Sequence, residues 1–317
     1  MLARSTKMLA SLVAVLLVVE AAVRVVSSGF PEPVTWYHEI AQAKVEQLID
    51  LDDDLDHVFI GTSQTYHGID PAVVDRRLGT RSYNAAIPAG IPPIQHRWLE
   101  DAVLRHRDVD TVVWPMSSID LNAARPQDMR PIYDDAFEVR GGVLAGVDRW
   151  LSARLAMFRH RRVLADSRSW FDADDPVEHA RGVLQANGKR RPGRANTSDA
   201  ERRRVVRDVI GDYEVGGHMS DDIHRTVASL RERNVDVVFV WLPQAPRFLD
   251  LLPDRSADAD AEREARRLAA ELDVSFIDVS DGYGNGDFSD FTHLTGEAAQ
   301  RLSATVADEL AELGGGH

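Results

Sequence analysis

Residues 109–118 read Val109-Asp110-Thr111-Val112-Val113-Trp114-Pro115-Met116-Ser117-Ser118. A strand with one wet face alternates apolar and polar side chains. This run stays apolar on both alternations, as a strand covered on both sides does in the middle of a parallel sheet. Working outward, 57–63 (HVFIGTS) is a strand ending in a turn, and 70–78 (DPAVVDRRL) is a short helix with Asp70 as cap and Pro71 at its first position. Residues 80–86 (TRSYNAA) give another strand. Residues 92–107 (PPIQHRWLEDAVLRHR) open on prolines and carry apolar side chains at helical spacing. Beyond a break come 220–234 as a helix capped by Ser220 or Asp221, 235–243 (VDVVFVWLP) as a central strand, and 259–273 as a helix. Residues 274–280 (VSFIDVS) form a strand and 296–313 a last amphipathic helix. Strand and helix in alternation predict one five-stranded parallel sheet covered by helices on both faces.

The chain has 317 residues, a formal net charge of −14 and no cysteine. The acidic balance argues against nucleic acid as a partner. The absence of cysteine excludes disulfides, thiolate metal sites, a cysteine nucleophile and lipidation at a lipobox. Arg4 and Lys7 precede a run, Met8 to Val26, that is interrupted only by Glu20 and Arg24, spaced to pair on one helical face. About 19 residues of helix rise about 28 Å, close to the hydrocarbon thickness of a bilayer. The segment 1–30 is therefore expected to be a transmembrane anchor with an exported remainder; a cleaved signal peptide, with secretion, is the alternative. Residues 31–54 are a lead-in helix and its turn. Residues 55–317 are one domain with an α-helical insertion at about 123–215. That insertion carries a basic island at 187–207, arginines with Lys189, which reads either as a solvated loop or as a surface for anionic lipid or polymer.

In open parallel sheets, sites form beyond the carboxyl ends of the strands. The tips to inspect are thus Gly61-Thr62-Ser63, Asn84 to Gly90, Met116 to Asn122, and Asp281 to His293. Asp290-Phe291-Thr292-His293 places an acid three residues before a base just ahead of a helix, and Ser63 stands at the first strand's tip. Singly, each has a plain structural reading: Ser63 and Asp290 as helix caps, His293 as a packed loop histidine. Together, at matching strand ends, they form a nucleophile, base and orienter. Trp241 to Gln244 end the fourth strand and either line a pocket or pack in the core. Asp52, Asp53, Asp54 and Asp56 read as a solvated turn, and Asp281, Asn285 and Asp287 as glycine-loop turn chemistry. No metal-ligand spacing and no phosphate-cradling loop is present, so no metal and no cofactor is expected.

The sequence Gly61-Thr62-Ser63-Gln64, Asn84 with Gly90, the polar turn after the third strand and Asp290-Phe291-Thr292-His293 resemble the SGNH (GDSL-type) hydrolases over roughly 55–122 and 220–313. With the N-terminal segment and the insertion, the chain is similar to the membrane-anchored branch that includes the alginate O-acetylation proteins and the D-alanyl transfer protein of teichoic acid synthesis. The resemblance implies a flavodoxin-like three-layer α/β/α sandwich and acyl-ester chemistry. It assigns Ser63 as nucleophile, His293 as base and Asp290 as orienter, with oxyanion donors from the amides of Ser63 and Gly90 and from the third-strand turn. Asn84 is implied as a further substrate-site residue. Ile119 occupies the position of the family's Asn in that turn, so Ser117, Ser118 or Asn122 is expected to substitute. A Gly-x-Ser-x-Gly elbow of the α/β-hydrolase kind fails at Thr65.

These readings give an expected function: a serine-dependent acyl-ester hydrolase or O-acyltransferase acting through an acyl-enzyme on an extracytoplasmic envelope glycan or a small ester. Implied partners are the glycan or ester, the membrane through the N-terminal helix, and a membrane-bound O-acyltransferase that supplies the acyl group. The alternative expectation is a catalytically inactive scaffold or glycan-binding protein of an envelope acylation system.

Overall fold

The computed structural model describes residues 2–27, 39–125, 150–151, 154–159, 176–190, 196–254 and 256–314. Five strands form one parallel sheet: β1 (Leu55–Phe59), β2 (Ser82–Asn84), β3 (Val109–Met116), β4 (Asp236–Trp241) and β5 (Ser275–Asp278), in the order β2-β1-β3-β4-β5. β3 lies at the centre, as its two-sided apolar pattern requires. Its register sets Val113 beside both Phe59 and Val238, and Trp114 beside Phe239.

The pleat sorts these residues onto two faces. Phe59, Val113, Val238, Val240 and Ile277 belong to one buried apolar cluster with Ala298, Leu302 and Val306. Trp114, fully buried, points the other way and meets Phe239 edge-on at 6.1 Å between ring centroids.

Labelled in chain order, the helices used below are α1 (Leu2–Ser27), α2 (Glu39–Asp50), α3 (Ser63–Gly68), α4 (Pro71–Leu78), α5 (Pro92–Trp98), α6 (Pro176–Val183), α7 (Asp199–Val205), α8 (His218–Glu232), α9 (Ser256–Leu272) and α10 (Gly296–Gly314). α10 packs on α3 and α4, and α8 packs on α5 and α9. α4 is bounded as its sequence dictates: the Asp70 side chain accepts the Ala72 amide, Pro71 fills the first turn, and Gly79 ends it in the left-handed region. α8 begins two residues earlier than expected. Its cap is Gly217, while Ser220 instead bonds Glu264 and is turned toward α9.

Of the described residues, those in 1–42 and 130–179 form one compact unit, and those in 43–129 and 180–317 form the other. Residues 180–190 and 196–215, read from sequence as part of the insertion, belong to the sheet-bearing unit. Of the expected α-helical insertion, the run 146–165 lies mostly outside the described residues.

In the smaller unit, α1 is one continuous helix of 26 residues. Glu20 and Arg24 pair at 2.7 Å, and the Glu20 carboxylate also accepts the amides of Ala156 (2.8 Å) and Met157 (3.0 Å), capping a short helical turn. The expected transmembrane helix meets a limit here: among the described residues, no helix is long and apolar enough to cross a membrane.

Candidate active site

β1 ends at Phe59, and the chain turns through Gly61 and Thr62 into α3, which starts on Ser63. Ser63 thus stands at the first turn of a helix, where amide N–H groups have no intrahelical acceptor. Across the sheet edge, Phe288 and Leu294 form an antiparallel bridge, with the Ser289 amide bonded to the His293 carbonyl, so residues 289–293 form a closed loop. Within it the Asp290 Oδ1 accepts the amides of Thr292 and His293, both at 2.8 Å. This is the local turn that an Asp side chain favours.

That loop brings the three expected residues into one line. Asp290 Oδ2 lies 2.7 Å from His293 Nδ1, and His293 Nε2 lies 2.8 Å from Ser63 Oγ. Burial raises the Asp290 pKa, but the hydrogen bond and charge of His293 and the two amides outweigh it and hold the group at about 2. An ionised carboxylate only accepts hydrogen bonds, so Nδ1 carries the imidazole proton. Nε2 is left as an acceptor for the Ser63 hydroxyl. In this tautomer the arrangement can take a proton from Ser63.

A cavity of about 280 Å³ opens over Ser63 and is lined by Pro88, Ala89, Ile119, Val205 and Val209, together with His67 and three arginines, Arg125, Arg190 and Arg204. His67 stands four residues after Ser63 on α3, and its ring lies 4.4 Å from that of His293 with a tilt of 31°. Burial first, then the positive surroundings of His293 and Arg190, push the His67 pKa well down. His67 is thus neutral, and its Nε2 accepts from Arg190 Nη1 at 2.8 Å.

The oxyanion candidates named from sequence are placed differently. Gly90 donates its amide to the Ile87 carbonyl at 3.0 Å and is buried. A Cβ there would meet the Gly61 carbonyl at 2.8 Å, so its glycine allows two backbone segments to touch; Gln95 Nε2 clamps them by donating to both carbonyls. The residue before it, Ala89, has φ +52 and lines the cavity. With the Gly90 amide taken by Ile87, the Ala89 amide, which has no acceptor among the described residues, is the candidate second donor. Asn84 donates to the carbonyls of Thr65 and Ile69 and accepts the Ala86 amide. Asn122 donates to the carbonyls of Val209 and Ile210 and accepts the amides of Ala124 and Glu214. Both asparagines are spent on holding loops.

Ser117 is fully buried. Its hydroxyl faces Gln64 Oε1 (2.5 Å) and Asp120 Oδ2 (3.0 Å), and its amide also donates to Asp120. Burial pushes Asp120 up to about 6, against those hydrogen bonds. Ser118 is fully buried, and its carbonyl accepts from Tyr213 Oη at 2.9 Å. From this turn it is Ile119 that lines the cavity.

Gln64, quoted from the sequence only as the end of the strand-tip motif, ties the tips together. It accepts from Ser117 after β3, and donates to Gln244 after β4 (3.2 Å) and to the Thr292 carbonyl beside the histidine (3.3 Å). Trp241 is core and lines no part of the cavity. Asp53 pairs with Arg81, and Asp56 accepts the Arg81 amide, so the acidic turn is a structural one. Among the described residues, no group of acidic and histidine side chains is arranged to hold a metal.

Arg190 reaches the cavity from a turn inside the basic island expected at 187–207, whose sequence reads either as a solvated loop or as a surface for anionic lipid or polymer. The Gln185 amide donates to the Lys189 carbonyl, and the Asn84 amide to the Asn187 carbonyl (2.9 Å), setting the turn against the tip of β2. Lys189, expected on a basic island, is buried and pairs with Asp70 at 2.8 Å. The next amide, of Arg190, donates to the Tyr66 carbonyl on α3. The only sequence signals were the turn-forming Asn187-Gly188 and the i,i+4 spacing of Ser63 and His67.

No family model matches the sequence, and no curated protein does. Solved structures similar to it include a putative platelet activating factor from Streptococcus pneumonia (11% identity, 92% of this chain and 98% of that one, TM-score 0.48). Others are a putative lipolytic protein of the G-D-S-L family from Desulfitobacterium hafniense (10%, 80% and 99%, 0.43) and a carbohydrate acetylesterase from Sinorhizobium meliloti (15%, 81% and 99%, 0.39). At these scores the likeness bears no weight in the chemistry, which stands on the geometry above.

Proposed function

We propose that this protein is a serine-dependent acyl-ester hydrolase or O-acyltransferase that works through an acyl-enzyme. The observation that carries the reading is the Asp290–His293–Ser63 line, with 2.7 and 2.8 Å separations and a carboxylate ionised far below neutral pH. Ser63 Oγ attacks the acyl carbon while its proton passes to His293 Nε2. The carbonyl π-bond opens to an oxyanion, which collapses to expel the alcohol with that proton. Water, or a sugar hydroxyl in transfer, then gives its proton to the same nitrogen and attacks the acyl carbon; the second oxyanion collapses, the Ser63 Oγ–acyl bond breaks, and Oγ takes the proton back from His293. The amides of Ser63 and Ala89 receive the oxyanion, a preorganised donor being worth about 3–4 kcal/mol.

The acceptor we favour is an envelope glycan, with the acyl group supplied by a membrane-bound O-acyltransferase. Anchoring by α1 fits this assignment: Leu17, Val18 and Val25 are all more than 60% exposed, an apolar surface on one helix. A non-catalytic scaffold is the second reading, favoured by Ile119 standing where a third donor would.

The test is to treat the full chain with a fluorophosphonate and with an activated acetyl ester, beside Ser63→Ala and His293→Ala. A burst of one acyl group per chain in wild type alone is expected. A folded wild type that is neither labelled nor acylated removes the enzymatic reading in favour of the scaffold.

A further inference from the structure

We propose, resting on the acyl-ester reading of the site, that the alcohol half of the ester carries a negatively charged group seated on Arg190. The cavity has two kinds of wall. Ile119, Val205 and Val209 are buried and apolar, while Arg190, Arg204 and Arg125 bring three guanidinium groups to the nucleophile of a chain whose net charge is −14.

Arg190 faces the cavity without an ion-pair partner among the described residues. Arg204 is paired with Glu201, whereas Arg190 forms no ion pair with any carboxylate among the described residues. One guanidinium nitrogen is held by neutral His67, and Nε and the second terminal nitrogen remain on the planar fork that suits carboxylate, sulfate or phosphate. The group is half-buried, where an ionic hydrogen bond keeps more of its strength than in open water.

Its place in the site says which half of the ester it reads. The departing alcohol takes its proton from His293 Nε2, so it lies at that ring's edge. His67 stacks on the same ring and Arg190 bonds to His67. Arg190 is thus tied, through His67, to the histidine that hands the departing alcohol its proton, and the apolar wall is left for the acyl group. The positioning is built in: Lys189 is fixed to Asp70, and Asn187 to the tip of β2, immediately before Arg190.

The experiment measures kcat/KM for two matched ester pairs, each corrected for its hydroxide-catalysed rate. One pair differs on the alcohol side, 4-acetoxybenzoate against 4-acetoxybenzamide; the other differs on the acyl side, phenyl hemisuccinate against phenyl butanoate. The expected result is a preference of roughly 10- to 100-fold for the anionic alcohol, the strength of one hydrogen bond to a charged group, with no preference in the acyl pair. Arg190→Gln brings the ratio to about 1, and Arg190→Lys restores part of it. A preference confined to the acyl pair, or an unchanged ratio in Arg190→Gln with both esters slowed alike, overturns the assignment; the latter makes Arg190 a prop for the histidines. Failure of the acyl-ester reading is distinct, because then no ester in either pair is turned over and Ser63 is not labelled.

Discussion

Replacing Asp290 by Asn tests the electrostatics of the site with almost no change in volume. The carboxylate has two different tasks: Oδ1 accepts two backbone amides, and Oδ2 accepts the His293 Nδ1–H. An amide side chain has one acceptor. Turning its oxygen to the two amides satisfies more partners and leaves its NH₂ facing Nδ1, which must then accept. The imidazole proton moves to Nε2, where it points at Ser63 and cannot receive the nucleophile's proton. The same tautomer inversion in a serine triad costs about 10⁴ in kcat, and Asp290→Asn is expected to lose about that much in ester turnover.

Stability falls as well. The folded-state pKa is depressed from 3.8 to about 2, a difference on the order of 2–3 kcal/mol. Because the folded value is the lower one, this stabilisation is full above pH 3.8 and is lost as pH falls through 2. Urea melts of the two proteins should thus differ by roughly 2–3 kcal/mol at pH 7 and converge near pH 2. A variant that keeps more than a tenth of wild-type turnover, or a stability gap that does not change with pH, refutes this account of Asp290.

Two predictions concern the scaffold. Lys44 is fully buried, bonded to the Asn84 carbonyl and set over the rings of Tyr66 (4.7 Å) and Tyr83 (5.7 Å); burial pushes its pKa well below 10.5, so the folded state becomes less favourable as pH falls from 10.5. Lys44→Met is expected to flatten that part of the stability profile in denaturant melts at several pH values, and an unchanged profile counts against a neutral buried lysine. Gly188 has φ +79, and a Cβ there would lie 2.3 Å from the Asn84 carbonyl oxygen. Gly188→Ala should cost about 1–3 kcal/mol by thermal melt and reduce the anionic-ester preference by displacing the turn that carries Arg190; a wild-type ratio would show that the turn does not set the arginine.

The sheet was legible because burial writes itself into side-chain pattern: the apolar run through Val112 to Met116 has only one comfortable position, the centre. Asp290 and His293 were legible because their geometry is local, a side chain bonding to its own turn. Ser63 followed from its position at a strand tip. What escaped depended on backbone direction or on distant packing. Spacing alone does not tell that the Gly90 amide is taken by the Ile87 carbonyl, since that depends on the left-handed Ala89 closing the turn. Polar residues at strand tips also have two uses, and Asn84 and Asn122 serve the other one, tying loops. Arg190 looked like any arginine of a basic loop until the contact of Asn187 with β2 and the burial of Lys189 fixed where it goes. α1 shows the reverse case, a helix readable in full whose setting is not written in its pattern.

The turn 185–190 divides anchoring from recognition by a single peptide bond. Asn187, Gly188 and Lys189 fasten it to the sheet edge and to α4, and only the next side chain enters the cavity. Position 190 is therefore an interchangeable reading head on a fixed mount. Exchanging that one side chain, with its three predecessors untouched, offers a route to retargeting the site toward neutral or cationic alcohols without disturbing Ser63, His293 or Asp290.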